Sequence, residues 1–207
     1  MDWRALFLSL RLASLCATFL LLVGLPFTFC LSQVKSRWVG LVEAFLSIPM
    51  VLPPTVLGFY LLLVLGPLHL AFSFYGLLIA AILSSLPFAL QSFLAAFRSV
   101  DRGYIERSWS LGENNWMTFI RVAVPLAKDG IISGVVLAFA HTLGEFGVVL
   151  MIGGNIPGVS RTLAISLYDQ VESFNYHDAN ITASVLLLVS VCAMLLVSSL
   201  RTNARHY

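Results

Sequence analysis

The chain has 207 residues, of which 59% are hydrophobic and only 11% are Asp, Glu, Lys or Arg; its formal net charge is +2 and its mean hydropathy +0.92. A soluble core of this length cannot bury that much apolar surface, so a water-soluble globule is excluded and an all-α polytopic membrane protein is expected. The few positive charges are scattered among acids without aromatic interleaving, which argues against a nucleic-acid surface.

Stretches free of Asp, Glu, Lys and Arg cover residues 12–34, 44–97, 130–144, 146–160 and 179–200. A bilayer core of about 30 Å takes roughly 20 helical residues. As one helix the 44–97 stretch would extend roughly 81 Å, so it must cross twice, and Gly66-Pro67-Leu68-His69 is the natural break. Five spans follow, near 8–31, 45–65, 74–97, 130–151 and 180–200. The first has no small-residue cleavage site after it and is read as retained. No linker or internal repeat divides the chain, so residues 1–207 form one transmembrane domain.

Five spans put the termini on opposite sides. Lys35, Arg37, Arg98, Arg102, Arg107, Arg121, Lys128, Arg201 and Arg205 share one side, against Arg4, Arg161 and, near the first span, Arg11. Positive loops stay cytoplasmic, so the N-terminus is expected outside and the C-terminus inside. Cys16, Cys30 and Cys192 fall within apolar spans at separations that fit no disulfide or metal framework. His69, His141, His177 and His206 are too dispersed for a metal site, so no metal is expected. Gly130-x-x-Ser133-Gly134 is only superficially like an intramembrane protease motif. With neither paired acids nor a nucleophile beside a base, a membrane-embedded enzyme is a remote alternative.

Residues 98–129 form a polar island between the third and fourth spans. Glu106-Arg-Ser-Trp-Ser-Leu-Gly112 is followed after nine residues by Val122-Ala-Val-Pro125. A helix from about Asp101 to Leu111 should stop where Gly112 takes a left-handed conformation and turns the chain into a second short helix. Trp109, Leu111, Trp116 and Phe119 are large apolar groups amid charge, as on a knob that enters a partner's groove, or on an amphipathic helix lying on lipid. The spacing resembles the coupling loop of ABC importer permeases, Glu-Ala-Ala, three residues, Gly, nine residues, Ile-x-Leu-Pro, with Arg107, Ser108, Val122 and Val124 as mild departures. By that resemblance Glu106, Trp109, Leu111, Gly112, Trp116 and Pro125 are the ATPase-coupling residues of a type I importer permease fold. No Gly-x-x-x-x-Gly-Lys-Ser/Thr phosphate cradle is present, so this chain should bind no cofactor, and ATP and Mg would act in a separate subunit.

His141-Thr-Leu-Gly144-Glu145-Phe146-Gly147, then Gly153-Gly-Asn155-Ile-Pro157-Gly158, is similar to the molybdate permease family, as is the Pro-rich run Leu52 to Phe59. Sulfate and thiosulfate permeases share the coupling loop and Gly-Glu-Phe-Gly, so the Asn155-Ile-Pro-Gly158 string separates the two. Glu145 is a carboxylate inside a span, either a structural anchor or a gate. Pro49, Pro53 and Pro54 must bend the second span toward a pore, or else begin its helix at an interface. Pro53, Pro54, Gly144, Glu145, Phe146, Gly147 and Asn155 are thus the pore or gate candidates, and Gly144, Gly147, Gly153 and Gly154 suit close helix contact. The resemblance implies two copies of the chain in lipid, two cytoplasmic ATPase subunits and an extracytoplasmic molybdate-binding protein, importing molybdate or tungstate. Glu172, His177 and Asp178 make a polar external loop that suits that docking or simply solvation.

Overall fold

A computed structural model describes residues 2–34 and 36–203. Lys35, Arg205, His206 and the C-terminal Tyr207 lie outside the described residues. Among those described the structure is helical, without strands. Helix α1 runs Trp3–Gln33, α2 Arg37–Val51, α3 Pro54–Leu65, α4 Phe74–Ser99, α5 Arg102–Ser110, α6 Asn115–Leu126, α7 Lys128–Gly144, α8 Gly147–Gly153, α9 Leu163–Glu172 and α10 Tyr176–Asn203.

Three helices, α1, α4 and α10 as far as Ser199, are each long and apolar enough to cross a bilayer. Two bent pairs are long and apolar enough only when each is taken together, α2 and α3 at 103° and α6 and α7 at 81°, and bring the crossings to five if each pair is one span. The bend expected of the prolines in the second span falls at Leu52 and Pro53, between α2 and α3, while Pro49 stays inside α2. Leu52 precedes Pro53, and Pro53 precedes Pro54; the ring of each proline excludes the α region for its predecessor, so both residues are extended, with ψ of 140° and 133°. Pro54 then opens α3 as its first residue, where a missing N–H costs nothing. The turn at Gly66–His69 falls where expected, although His69 and Phe72 also take positive φ there. The fourth span is likewise not continuous to residue 151, because α7 stops at Gly144.

In lipid, apolar surface gains little by leaving its surroundings, and close van der Waals approach holds helices together. The central pair is α4 and α7: a β-carbon on Gly130 would lie 2.5 Å from Ala96 Cβ, and one on Gly134 would lie 2.6 Å from the buried Phe93 ring. Helix α1 lays Leu8, Leu12, Cys16, Leu20, Leu25 and Phe29 into the same core. Between Leu20 and Gly24 it widens into a π-helical turn just before Pro26, and Thr28 Oγ1 donates to the Gly24 and Leu25 carbonyls there. The Leu163 N–H donates to Ser9 Oγ at 2.7 Å, which ties α9 to α1.

Candidate functional site

Two regions hold the candidate residues. The first is the projection α5–α6. Asp101 caps α5 by accepting the Gly103 N–H at 2.8 Å, and Asn114 caps α6 by accepting the Met117 N–H at 2.8 Å. Between them Gly112 has φ +88°; its N–H donates to the Trp109 carbonyl at 2.9 Å and that of Glu113 to Ser108 at 3.2 Å. This pair of bonds is the Schellman arrangement, and it satisfies carbonyls the helix end would otherwise leave open. Ser108 and Thr118 hydroxyls meet at 2.9 Å and lock α5 to α6, while Arg121–Glu113 and Arg102–Glu106 pair on the exposed side.

Leu111 is 85% exposed and Trp116 59%, whereas Phe119 is only 6% exposed. Trp109 and Phe119 therefore do not belong to an outward knob. On so short a helix Ile105, Ser108 and Trp109 occupy one face by their three- and four-residue spacing, and that face meets the core. Phe119 sits 5.1 Å from the Phe29 ring centroid and 6.1 Å from that of Phe97. Glu106 is exposed beside Arg102; Pro125 is exposed within α6, and the bend toward α7 falls at Ala127.

The second region is the interruption between α7 and α8. Glu145 is extended, 8% exposed, and its Oε1 accepts the Val148 N–H at 3.1 Å, capping the short helix that follows. Its Oε2 lies 3.5 Å from His141 Nε2. His141 Nδ1 is 3.0 Å from Ser85 Oγ, Ser85 Oγ 2.8 Å from Thr142 Oγ1, and Thr142 donates to the Ala138 carbonyl. Phe88 stacks on the imidazole at 4.1 Å. If His141 carries both ring protons, each member donates onward, from Nδ1 to Ser85, Thr142 and the backbone, while the charged ring faces Glu145 at ion-pair distance. If it carries only the Nε2 proton, Ser85 must donate back to Nδ1 and the direction of that bond reverses.

Glu145, His141 and Phe88, with Pro49, Pro54 and Ser84, line a cleft of about 110 Å³, which has room for several waters. Helix α3 closes against α8 through its glycines. A β-carbon on Gly147 would stand 2.8 Å from Pro54 Cβ, and one on Gly58 2.7 Å from Met151 Cβ. Phe146 lies 5.0 Å from the Tyr168 ring and so touches α9. Gly144 has nothing near its missing β-carbon, and no close packing depends on it. Gly153 does pack closely, against Leu77 and Ser160, whereas Gly154 serves a turn at φ +62°. Pro53 leads into α3 but does not line the cleft.

Asn155 is not part of this cluster. It is exposed on the turn after α8, donates to Asp169 at 3.1 Å and accepts from Arg161 at 2.6 Å. Its partners are Arg161 of the loop and Asp169 of α9, and the cleft at Glu145 does not include it. The residues missed from sequence are His141, Ser84, Ser85, Phe88 and Thr142. The available signal was the four-residue separation of His141 and Glu145, which puts both on one helical face.

The sequence matches the family described as binding-protein-dependent transport system inner membrane component over residues 12–205. It is 42% identical to the molybdenum transport system permease protein ModB of Azotobacter vinelandii, over 97% of this chain and 94% of that one. With the protein of the same name from Escherichia coli K12 the identity is 34%, over 83% and 81%. A probable sulfate transport system permease protein, cysT, of Prototheca wickerhamii is 27% identical over 92% and 80%. Among solved structures, the fold resembles an inward-facing MetNI methionine ABC transporter chain at a TM-score of 0.79 and 16% identity, covering 98% of this chain and 95% of that one. A chain of a bacterial alginate ABC importer gives 0.71 at 15% identity, covering 98% and 78%. The fold is that of a type I ABC importer permease, and the chain belongs to the binding-protein-dependent transport system inner membrane component family, as a multi-pass permease of the ModB type.

Proposed function

We propose that this chain is the pore-forming subunit of an ATP-driven importer of a tetrahedral oxyanion, molybdate or tungstate, working as a dimer. Two ATPase subunits supply ATP and Mg chemistry on the cytoplasmic side, and an extracytoplasmic binding protein delivers the anion. The observation that carries this reading is the capped projection between α4 and α7, which presents Leu111 and Trp116 to solvent rather than to its own core. A rigid apolar tip ringed by charge is what a docking knob requires. The higher identity to molybdenum permeases than to the sulfate permease supports the substrate.

In this reading the projection faces the cytoplasm and the loop with Asn155 faces outward. The charge asymmetry of the loops supports that orientation. Single cysteines at positions 114 and 155, in a background lacking the native three, should react with an impermeant reagent from opposite sides. The joint at Glu145, where α8 is held to α7, is the gate, and the bias between its two states comes from the ATPase on one side and the loaded binding protein on the other.

The deciding experiment is reconstitution. The chain alone in liposomes should move no oxyanion, whereas with its ATPase and binding protein it should take up molybdate on ATP. Strong inhibition by equimolar sulfate would reassign the substrate to sulfate or thiosulfate. Flux through the lone chain without ATP would reject the importer reading.

A further inference from the structure

A second cleft, of about 700 Å³, opens at the N-terminal end of α1 and shares no lining residue with the one at Glu145. Its walls include Trp3, Arg4, Phe7, Arg11, Phe74 and Gly158. Arg4 and Arg11 stand seven residues apart and so share a helix face. The Arg11 guanidinium lies 4.6 Å over the Phe74 ring, which fixes its direction without neutralising it. Among the described residues neither arginine has a carboxylate partner within salt-bridge distance. Asp2, two residues from Arg4, is occupied in capping α1, where it accepts the Arg4 and Ala5 N–H groups at 3.0 and 3.1 Å.

Depth then decides what these charges meet. From Arg11 to Gln33 the helix rises roughly 33 Å, close to the hydrocarbon thickness of about 30 Å. Arg11 therefore sits at the boundary of the hydrocarbon and Arg4 about 10 Å farther out, bracketing the phosphate layer. Trp3 and Phe7, each 71% exposed, point off the same end of the helix as an interfacial aromatic belt does. Helix α1 packs mainly against α4, α7 and α9, and none of its residues lines the Glu145 cleft.

We propose that this cleft binds the phosphodiester headgroup of an anionic phospholipid. Arg11 contacts the phosphate from below and Arg4 from above, and the exposed rings of Trp3 and Phe7 lie at the headgroup level. The assignment holds whichever side of the membrane the N-terminus occupies, and it does not depend on the transported substrate.

The test measures binding of a labelled phosphatidylglycerol, against a phosphatidylcholine of the same chains, to the purified assembled transporter in neutral detergent. With two arginines at the headgroup, the expected preference for the anionic lipid is about 30-fold, falling to about fivefold in Arg11→Gln and vanishing in the Arg4→Gln/Arg11→Gln double variant. The double Lys variant, which keeps both charges, should retain a clear preference and so separates charge from misfolding. No preference in the native protein, or one unchanged in the double Gln variant, would overturn the proposal. Equal competition by inorganic phosphate at the same concentration would reassign the cleft to a soluble oxyanion. Lipid preference unchanged but binding-protein association weakened in the double Gln variant would make it a protein-docking surface instead.

Discussion

The projection around Gly112 and the interruption around Glu145 are both places where a helix stops within a few residues of glycine, yet they are held in opposite ways. Each turn of the projection is closed by its neighbours in sequence: Asp101 to Gly103, Gly112 to Trp109, Asn114 to Met117. The interruption is held from afar, by Ser85 of α4, by Pro54 of α3 and by Tyr168 of α9. A locally closed element can present its tip to another molecule without loosening the rest of the protein. One held by three other helices changes only when they move, which is the behaviour wanted of a gate.

That contrast can be broken by substitutions in each region. The largest loss of stability should come from Gly147→Val: its β-carbon would be forced against the rigid ring of Pro54, and overpacking of this kind costs about 1–3 kcal/mol. A thermal unfolding midpoint equal to that of the native chain would show that α3 and α8 do not meet this closely. Next is Glu145→Ala, which leaves the Val148 N–H buried without an acceptor, a loss of about 1–2 kcal/mol. Glu145→Gln keeps an acceptor oxygen and should lose clearly less; equal losses would assign the effect to the His141 contact instead of the cap.

Gly112→Ala should cost about 1 kcal/mol, because the strain is confined to the backbone at φ +88° and open space surrounds the site. Asn at this position should recover part of that loss, since it tolerates the left-handed region. The smallest change should follow Leu111→Asp with Trp116→Ala, within about 0.5 kcal/mol of the native chain, as both side chains face solvent. On the proposed function, the same double variant should weaken association with a partner ATPase by about 30-fold, as loss of a binding hot spot does. An intact complex would show that the exposed tip is not the docking element.

The same contrast explains what the sequence could disclose. The left-handed turn at Gly112 was legible because capping chemistry depends on residues within one or two turns. The existence of five apolar segments was legible for the same reason, since each is a local property of composition. The inward packing of Trp109 and Phe119 was not, because an aromatic in a charged segment reads the same whether it faces solvent or, as Phe119 does, the rings of Phe29 and Phe97. The chain linking Glu145, His141, Ser85 and Thr142 joins α7 to a helix more than fifty residues earlier, and no pattern along the chain announces it. The break at Leu52 and Pro53 lay between: the proline pair announced a bend, but its angle depends on what α3 packs against.

The wide turn in α1 has a consequence of its own. The large apolar side chains that this helix gives to the core step by four residues from Leu8 to Leu20, by five to Leu25, and by four again to Phe29. In an ordinary helix a five-residue step swings about 140° off a stripe, whereas the i→i+5 turn absorbs it as one broad coil. The segment from Leu20 to Gly24 thus carries one residue more than helical phase requires. Removing a single residue there would let the helix close up with both halves still facing the core, shorter by one step. The same deletion a turn earlier or later would rotate one half against the other, so tolerance to a missing residue in α1 should be concentrated in those five positions.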